Sequence, residues 1–304
     1  HGTVYDCAVQ EIDVGTGKVL LDWRALDHVP IAETRLRPAH SPSPFDWFHV
    51  SSVSLYGPDA LLVSASNTST LYRVARSSGE VLERIGGRRS DYTMGRGASF
   101  SFQHDARVQP GGLVSLLDNG STSPGSSGPP SRAIVLALDA AHKSARLLRS
   151  WTHPAGLAVP SGGSVQPLGT GGAFVGWGAQ PYFTEFAGDG AIVFDARLAT
   201  DVQSYRALIS PWVGRPPAEP DVAYLLDALS QLTVYVSWNG ATEVASWQVL
   251  SGPSASKLTG IATVPSAGFQ TTITTRPTGP YVATAALDAA GKQLGRTRPQ
   301  RVST

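Results

Sequence analysis

The sequence predicts an all-β protein, most of a β-propeller followed by a small β-sandwich. Three observations lead there. One phrase, an alternating apolar strand, a tight polar turn and a second alternating strand, occurs four times. Glycine and proline are abundant, 32 and 22 residues, which suits many short strands joined by turns. Helical periodicity is nowhere sustained, and the best helical stretch, Ala218 to Gln231, is short.

The first copy of the phrase is VYDCAVQEID, the turn Val14-Gly15-Thr16-Gly17, and KVLLDW. The second is LYRVARSSGEVLERI with its turn at Ser77-Ser78-Gly79, the third IVLALDAAHKSARLLRSW, and the fourth FTEFAGDGAIVFDARL. Another strand pair precedes three of them: FHVSSVSL with ALLVSAS, SFQHDARV with GLVSLLDN, and SVQPLG with AFVGWG. Four strands in a repeat of ~40–60 residues are the mark of propeller blades. Three full blades are present, with a half blade in front and a first strand, Tyr205 to Ile209, behind. A ring needs about 4–8 blades, and an open one leaves unpaired edges. The chain is therefore expected to be a C-terminal portion completed by an upstream N-terminal segment. Leu36 to Phe45 and Ser121 to Ser131 read as loops on one rim. The run PWVGRPPAEP marks a boundary, which places the propeller at 1–214, a linker at 215–221 and the sandwich at 222–304. The strands VYVSWNG, EVASWQVLSG, GFQTTIT and PYVATAALDAAG that follow have the pattern of a fibronectin type III or immunoglobulin-like sandwich.

Composition excludes several functions. A net charge of +1 gives no electrostatic case for nucleic acid or an anionic membrane surface, and no apolar run approaches the ~18 residues of a span. A lone Cys7 excludes an internal disulfide framework and a thiolate metal cluster. Few Lys and Met with a surface rich in Ser, Gly and Pro point to a secreted protein. Walker, Rossmann, HExxH and GxSxG motifs are absent, so no cofactor is expected. His49, His104 and Asp105 offer metal-type ligands, but no close His-x-His or Glu-x-x-His spacing supports a metal.

The polar residues at the first strand of each blade would line an axial pocket. They are His49 in DWFHVSSV, His104 in SFQHDARV with Asp105 and Arg107, Asp118 and Asn119 in LLDNG, then Trp177, Gln180, Tyr182 and Glu185 in WGAQPYFTEF, and Arg206 in QSYRAL. Each has a plain structural alternative: a strand histidine that is merely satisfied, a good Asp-Asn-Gly turn, aromatic side chains filling the gap between blades. Successive blades carrying His, His and Arg at one strand position favour a site. His49, His104, Arg206 and Tyr182 are the catalytic candidates; Asn67, Asp105, Arg107, Asn119, Trp177 and Gln180 are candidates for substrate contact.

DWFHVSSV, QHDAR, LLDNG, FVGWG and YRAL, in that order, resemble the bacterial arylsulfotransferase family over nearly the whole chain, including the C-terminal sandwich of its secreted branch. The resemblance implies a six-bladed propeller that passes a sulfuryl group from an aryl sulfate to a phenol, without a nucleotide donor, through a sulfurylated histidine. It implies that His49 and His104 are active-site histidines and that Asn119 lies in the matching turn. Two departures stand out. A Ser-Thr-Ser-Pro run stands where the family has an arginine, and Ser204 stands where it has the sulfurylated histidine before Tyr-Arg-Ala. Three functions therefore stay open. One is sulfuryl transfer with His49 or His104 as nucleophile or general acid and Arg206 on the sulfonate oxygens. Another is a lyase of uronate polysaccharides using His/Tyr acid–base chemistry and arginine neutralisation. The last is a non-catalytic propeller that stacks a sugar or aryl ring on Trp177 and Tyr182.

Overall fold

The computed structural model describes residues 2–38, 42–120, 129–199 and 201–303. It contains two compact units, residues 1–209 and 210–304, and both are built almost wholly from antiparallel strands. Part of each predicted rim loop, 39–41 and 121–128, lies outside the described residues.

In the first unit, β1 (Ala8–Ile12) and β2 (Val19–Arg24) pair as a hairpin, and a single helical turn, α1 (Ala25–His28), follows. Next come β3 (Val50–Leu55), β4 (Ala60–Ala65), β5 (Thr70–Ala75) and β6 (Val81–Gly86), a four-stranded meander in sequence order. The short β7 (Thr93–Met94) then precedes β8 (His104–Gln109), β9 (Leu113–Asp118), β10 (Arg132–Asp139) and β11 (Ser144–Thr152). These four form a second meander, with β7 parallel to β11 on its outer edge. A third meander is β12 (Ser164–Pro167), β13 (Ala173–Gly176), β14 (Tyr182–Phe186) and β15 (Ile192–Arg197). The four recurrent phrases are the hairpins β1–β2, β5–β6, β10–β11 and β14–β15.

The β3–β6 sheet is covered on both faces by its neighbours, which explains why all of β4 is buried. Leu61, Val63 and Ala65 join Val9, Trp23 and Trp47 on the side of the first hairpin, whereas Leu62 joins Leu116, Ile134 and Leu136 of the next sheet. The alternation repeats one sheet on, where Leu116 faces back and Leu117 faces forward to Val165, Val175 and Trp177. Emptying such a position, as in Leu116→Ala, costs about 2–5 kcal/mol.

The first strands of the three meanders meet through side chains rather than a ladder. Ser51 Oγ donates to the Gln103 carbonyl at 2.9 Å, the Ala106 amide donates to Ser52 Oγ at 2.9 Å, and the Val165 amide donates to Asp105 Oδ2 at 3.3 Å. Tyr205 to Ile209 was expected to be a strand and is not one. It runs beside β12, where Ser164 Oγ bonds the Ala207 carbonyl and amide and the Gln166 side chain bonds those of Ile209. Side-chain groups replace the ladder partners there.

In the second unit, the segment with the strongest helical pattern contains instead β16 (Asp221–Leu226), which forms a hairpin with β17 (Leu232–Ser237). Asp227 makes the turn, its Oδ1 accepting the amides of Leu229 and Gln231. After β18 (Ser246–Ser254) and β19 (Lys257–Pro265) come β20 (Gln270–Thr275), β21 (Tyr281–Leu287), β22 (Gln293–Arg296) and β23 (Gln300–Arg301). One sheet is β16-β17-β20, and the other holds β19-β18-β21 with β22 and β23 on β21. Val234 and Ile273 of the first share one core with Trp247 and Val282 of the second.

Candidate functional site

A cavity of about 400 Å³ in the first unit is lined by His49 and His104, with Asp46, Asn67 and Arg37 around them and Leu36, Phe45, Phe102 and Pro160 as apolar wall. His49 immediately precedes β3 and His104 begins β8, so two neighbouring first strands deliver the two rings.

His49 has its ring half exposed and sets Nδ1 2.5 Å from Asp46 Oδ2. Asp46 is itself held by Asn67, whose Nδ2 donates to the Asp46 carbonyl at 2.7 Å. The Asn67 amide also donates to the Phe48 carbonyl at 3.2 Å. With Nδ1–H on the carboxylate, the other ring nitrogen of His49 has no hydrogen-bond partner among the described residues, and Asp46 fixes the orientation of the ring.

His104 is the opposite case, 5% exposed. Its Nδ1 lies 3.1 Å from the Phe102 carbonyl and 3.0 Å from Asn119 Oδ1. Asn119 is oriented by donating from Nδ2 to the carbonyls of Val159 and Gly162, at 2.9 and 3.2 Å. Both neighbours of Nδ1 are therefore acceptors, Nδ1 carries the hydrogen, and Nε2 keeps its lone pair. Among the described residues Nε2 has no hydrogen-bond partner. Burial lowers the His104 pKa; the Asn119 bond opposes this, and the charges of His49 and Arg206 lower it further. A neutral imidazole with an open Nε2 is a nucleophile at neutral pH.

The backbone around these rings is strained. His49, Phe102 and Asp105 have φ of 56°, 52° and 52°, a left-handed region that costs a non-glycine residue about 1–2 kcal/mol. Asp105 is fully buried and its Oδ1 takes two arginines, Arg107 Nε at 2.9 Å and Arg206 Nε at 3.2 Å. Arg206 also lies over the Tyr205 ring, which meets His104 edge-on at 6.0 Å. The Ser204 hydroxyl donates to the Arg206 carbonyl at 2.7 Å, and among the described residues no basic side chain bonds it.

The remaining predicted residues act at one remove. Trp177 is fully buried and donates from Nε1 to Thr184 Oγ1 at 2.9 Å, so it offers no stacking platform. Tyr182 packs on His153, and Glu185 is on β14 in the same sheet. Gln180 Nε2 donates to the Ala158 carbonyl at 2.8 Å, and the Ala179 amide donates to Ser161 at 3.0 Å, so this turn braces the cavity wall at Pro160 and Ser161. Gly178 is required there: its φ is +56°, and a Cβ would fall 2.4 Å from the Ser161 carbonyl oxygen. Asp118 accepts Arg132 Nε at 2.9 Å. The Ser-Thr-Ser-Pro run after Asn119 lies outside the described residues. Among the described residues no three His, Cys, Asp or Glu side chains gather as a metal would need.

Asp46 and Arg37, the acidic and the basic lining residue beside the two histidines, are not among the candidates that the sequence offers. Asp46 has a local signal, three positions before His49 in the same motif. Arg37 has none, because chain folding alone brings it to the histidines.

Comparison with known proteins gives one family. The model of the arylsulfotransferase (ASST) family matches residues 1–199. No curated protein matches the chain. Among solved structures, a protein of unknown function from Bacteroides caccae is 12% identical with a TM-score of 0.39, the alignment covering 97% of this chain and 91% of that one. A putative 6-phosphogluconolactonase from Bacteroides uniformis is 12% identical with a TM-score of 0.37, over 98% of this chain and 79% of that one. Kuenenia stuttgartiensis hydrazine synthase is 11% identical with a TM-score of 0.33, over 94% and 58%.

Proposed function

The chain belongs to the arylsulfotransferase family, and from that premise we propose that it transfers a sulfuryl group from an aryl sulfate to a phenol with His104 Nε2 as the acceptor on the way. The observation that carries this reading is the pairing of a neutral, oriented His104 with a half-exposed His49–Asp46 pair in one cavity. Ser204 has neither a ring nitrogen nor a base to activate it.

In the first step the Nε2 lone pair of His104 forms a bond to sulfur as the sulfur–aryl oxygen bond breaks. Protonated His49 gives its Nε2 proton to the departing aryl oxide, and Asp46 stabilises the charged ring beforehand. In the second step the incoming phenol gives its proton to His49 while its oxygen attacks sulfur and the nitrogen–sulfur bond breaks. Both rings return to their starting states. Positive charge near the sulfonate matters more here than a strong base, because charge on the transferring group must be stabilised. Arg206, tied to Asp105 beside Arg107, adds to that field at His104.

The test is p-nitrophenyl sulfate with a phenol acceptor, compared for the parent protein, H104A and S204A, with mass spectrometry of acid-stable or base-stable adducts on the His104 peptide. Transfer lost in H104A and kept in S204A is expected. Transfer that survives H104A, or none in the parent protein, sinks the reading. The lyase alternative is weakened because Tyr182 packs on His153 and does not line the cavity, and the stacking alternative because Trp177 is buried.

The same reading takes the successive sheets as propeller blades whose first strands face the axis. It takes the second unit as a fibronectin-like sandwich and the protein as secreted. The cores between successive sheets, the common core of the second unit and the composition support it.

A further inference from the structure

The charge of the cavity does not balance. Asp46 is its acidic lining residue, and that carboxylate is engaged by His49. Arg37 lines the same space, is exposed, and among the described residues forms no ion pair or hydrogen bond. The other arginines near the histidines, Arg107 and Arg206, are both bound to Asp105 and lie outside the lining.

The loop carrying Arg37 is firmly held. Buried Glu33 accepts Arg84 Nε at 3.2 Å and the Tyr72 hydroxyl at 3.0 Å. Arg88 Nε donates to the Thr34 carbonyl at 2.9 Å. The Arg35 amide donates to the Asn67 carbonyl at 2.8 Å, and Asn67 is the residue that holds Asp46. One asparagine thus registers the Arg37 loop against the His49–Asp46 pair. A guanidinium starting from a fixed point presents several donors in a planar fork, the shape that suits an oxyanion with more than one free oxygen. Beside it Leu36, Phe45 and Phe102 supply an apolar wall for an aromatic ring.

We propose that Arg37 is the anion-binding residue of this cavity and holds the non-reacting sulfonate oxygens of the aryl sulfate donor, an inference that rests on the sulfuryl-transfer reading. The aryl ring lies on the apolar wall and the sulfur faces His104 Nε2. A carboxylate on an acceptor ring would offer similar chemistry; the donor is favoured because Arg37 shares its cavity with the open nucleophile.

Calorimetric titration with p-toluenesulfonate, which has no transferable sulfuryl group, tests this without turnover. p-Toluate and p-cresol serve as the carboxylate and neutral arms. R37A is expected to weaken p-toluenesulfonate binding roughly 10- to 100-fold, the loss of a charge-assisted contact, with R37K recovering part and p-cresol binding unchanged. The KM for p-nitrophenyl sulfate should rise by a similar factor with kcat little altered. The melting temperature of R37A should match that of the parent, since among the described residues Arg37 forms no hydrogen bond or ion pair. Sulfonate binding unchanged in R37A, while H104A is inactive, overturns this inference and leaves the sulfuryl-transfer reading standing. Weakening confined to p-toluate overturns the donor assignment. A parent protein that binds no sulfonate and transfers nothing overturns both. Sulfonate binding that depends on Arg37 in a protein that transfers nothing upholds the anion site and removes the reaction.

Discussion

Two histidine–aspartate pairs in the first unit look alike in outline and differ in what they leave open. His153 is 6% exposed; its Nε2 faces Asp195 Oδ2 at 3.3 Å and its Nδ1 accepts the Ala155 amide at 3.1 Å. Asp195 is further tied to Thr184 and through it to Trp177. Both nitrogens are used, so this pair fastens β14 and β15 to the preceding sheet. His49 is half exposed and spends one nitrogen on Asp46, and a second imidazole with a free Nε2 lines the same cavity. A nearby carboxylate therefore does not make a histidine chemical. An unoccupied ring nitrogen facing a space large enough for a substrate does.

The sharpest way to break this contrast is to remove one histidine from each place. H104A should lower kcat/KM for sulfuryl transfer by at least ~1000-fold, the scale for loss of a nucleophile, whereas H153A should change it by less than about threefold. Equal losses would mean that both pairs act structurally. D46N should cost roughly 10- to 100-fold in kcat with little change in KM, because the carboxylate that orients the His49 ring through Nδ1 is lost. A rise in KM with kcat unchanged would reduce Asp46 to shaping the cavity.

Stability should run the other way. H153Q replaces a buried ring whose two nitrogens are both bonded and should cost about 1–3 kcal/mol in urea unfolding, while D46N, on a half-exposed side chain, should cost less. The smallest expected effect is in pH. His104 has a folded pKa below its unfolded value of about 6.5, so folding favours its neutral form. Its contribution is fully present above pH ~6.5 and is lost as pH falls towards and through the lowered folded value. H104Q should flatten that acid slope relative to the parent; an unchanged slope would mean His104 protonates freely when folded.

Much of this architecture was legible because it is local. The alternation of ALLVSAS and the Gly-containing turns are period-two and short-range signals, and every recurrent phrase lies on a hairpin. The strand expected at Tyr205 to Ile209 is absent because side chains displace the ladder there, as Ser164 and Gln166 do. In the candidate site, His49, His104, Asn67 and Asn119 come together around one cavity or its support, but Trp177 and Tyr182 turn away to His153. Their motif indicated aromatic character and carried nothing about direction.

By itself the sequence determined the strand order, the turns, the family and the two histidines, because each is written in neighbouring residues. Only the tertiary structure decided which nitrogen is open, that Asp46 and Arg37 join the histidines, and that Asp105 binds two arginines at once. Those depend on contacts between residues distant in the chain, Asn119 on His104, Arg206 on Asp105 and Arg35 on Asn67, and the state of an imidazole is set by such neighbours and by burial rather than by its place in a strand.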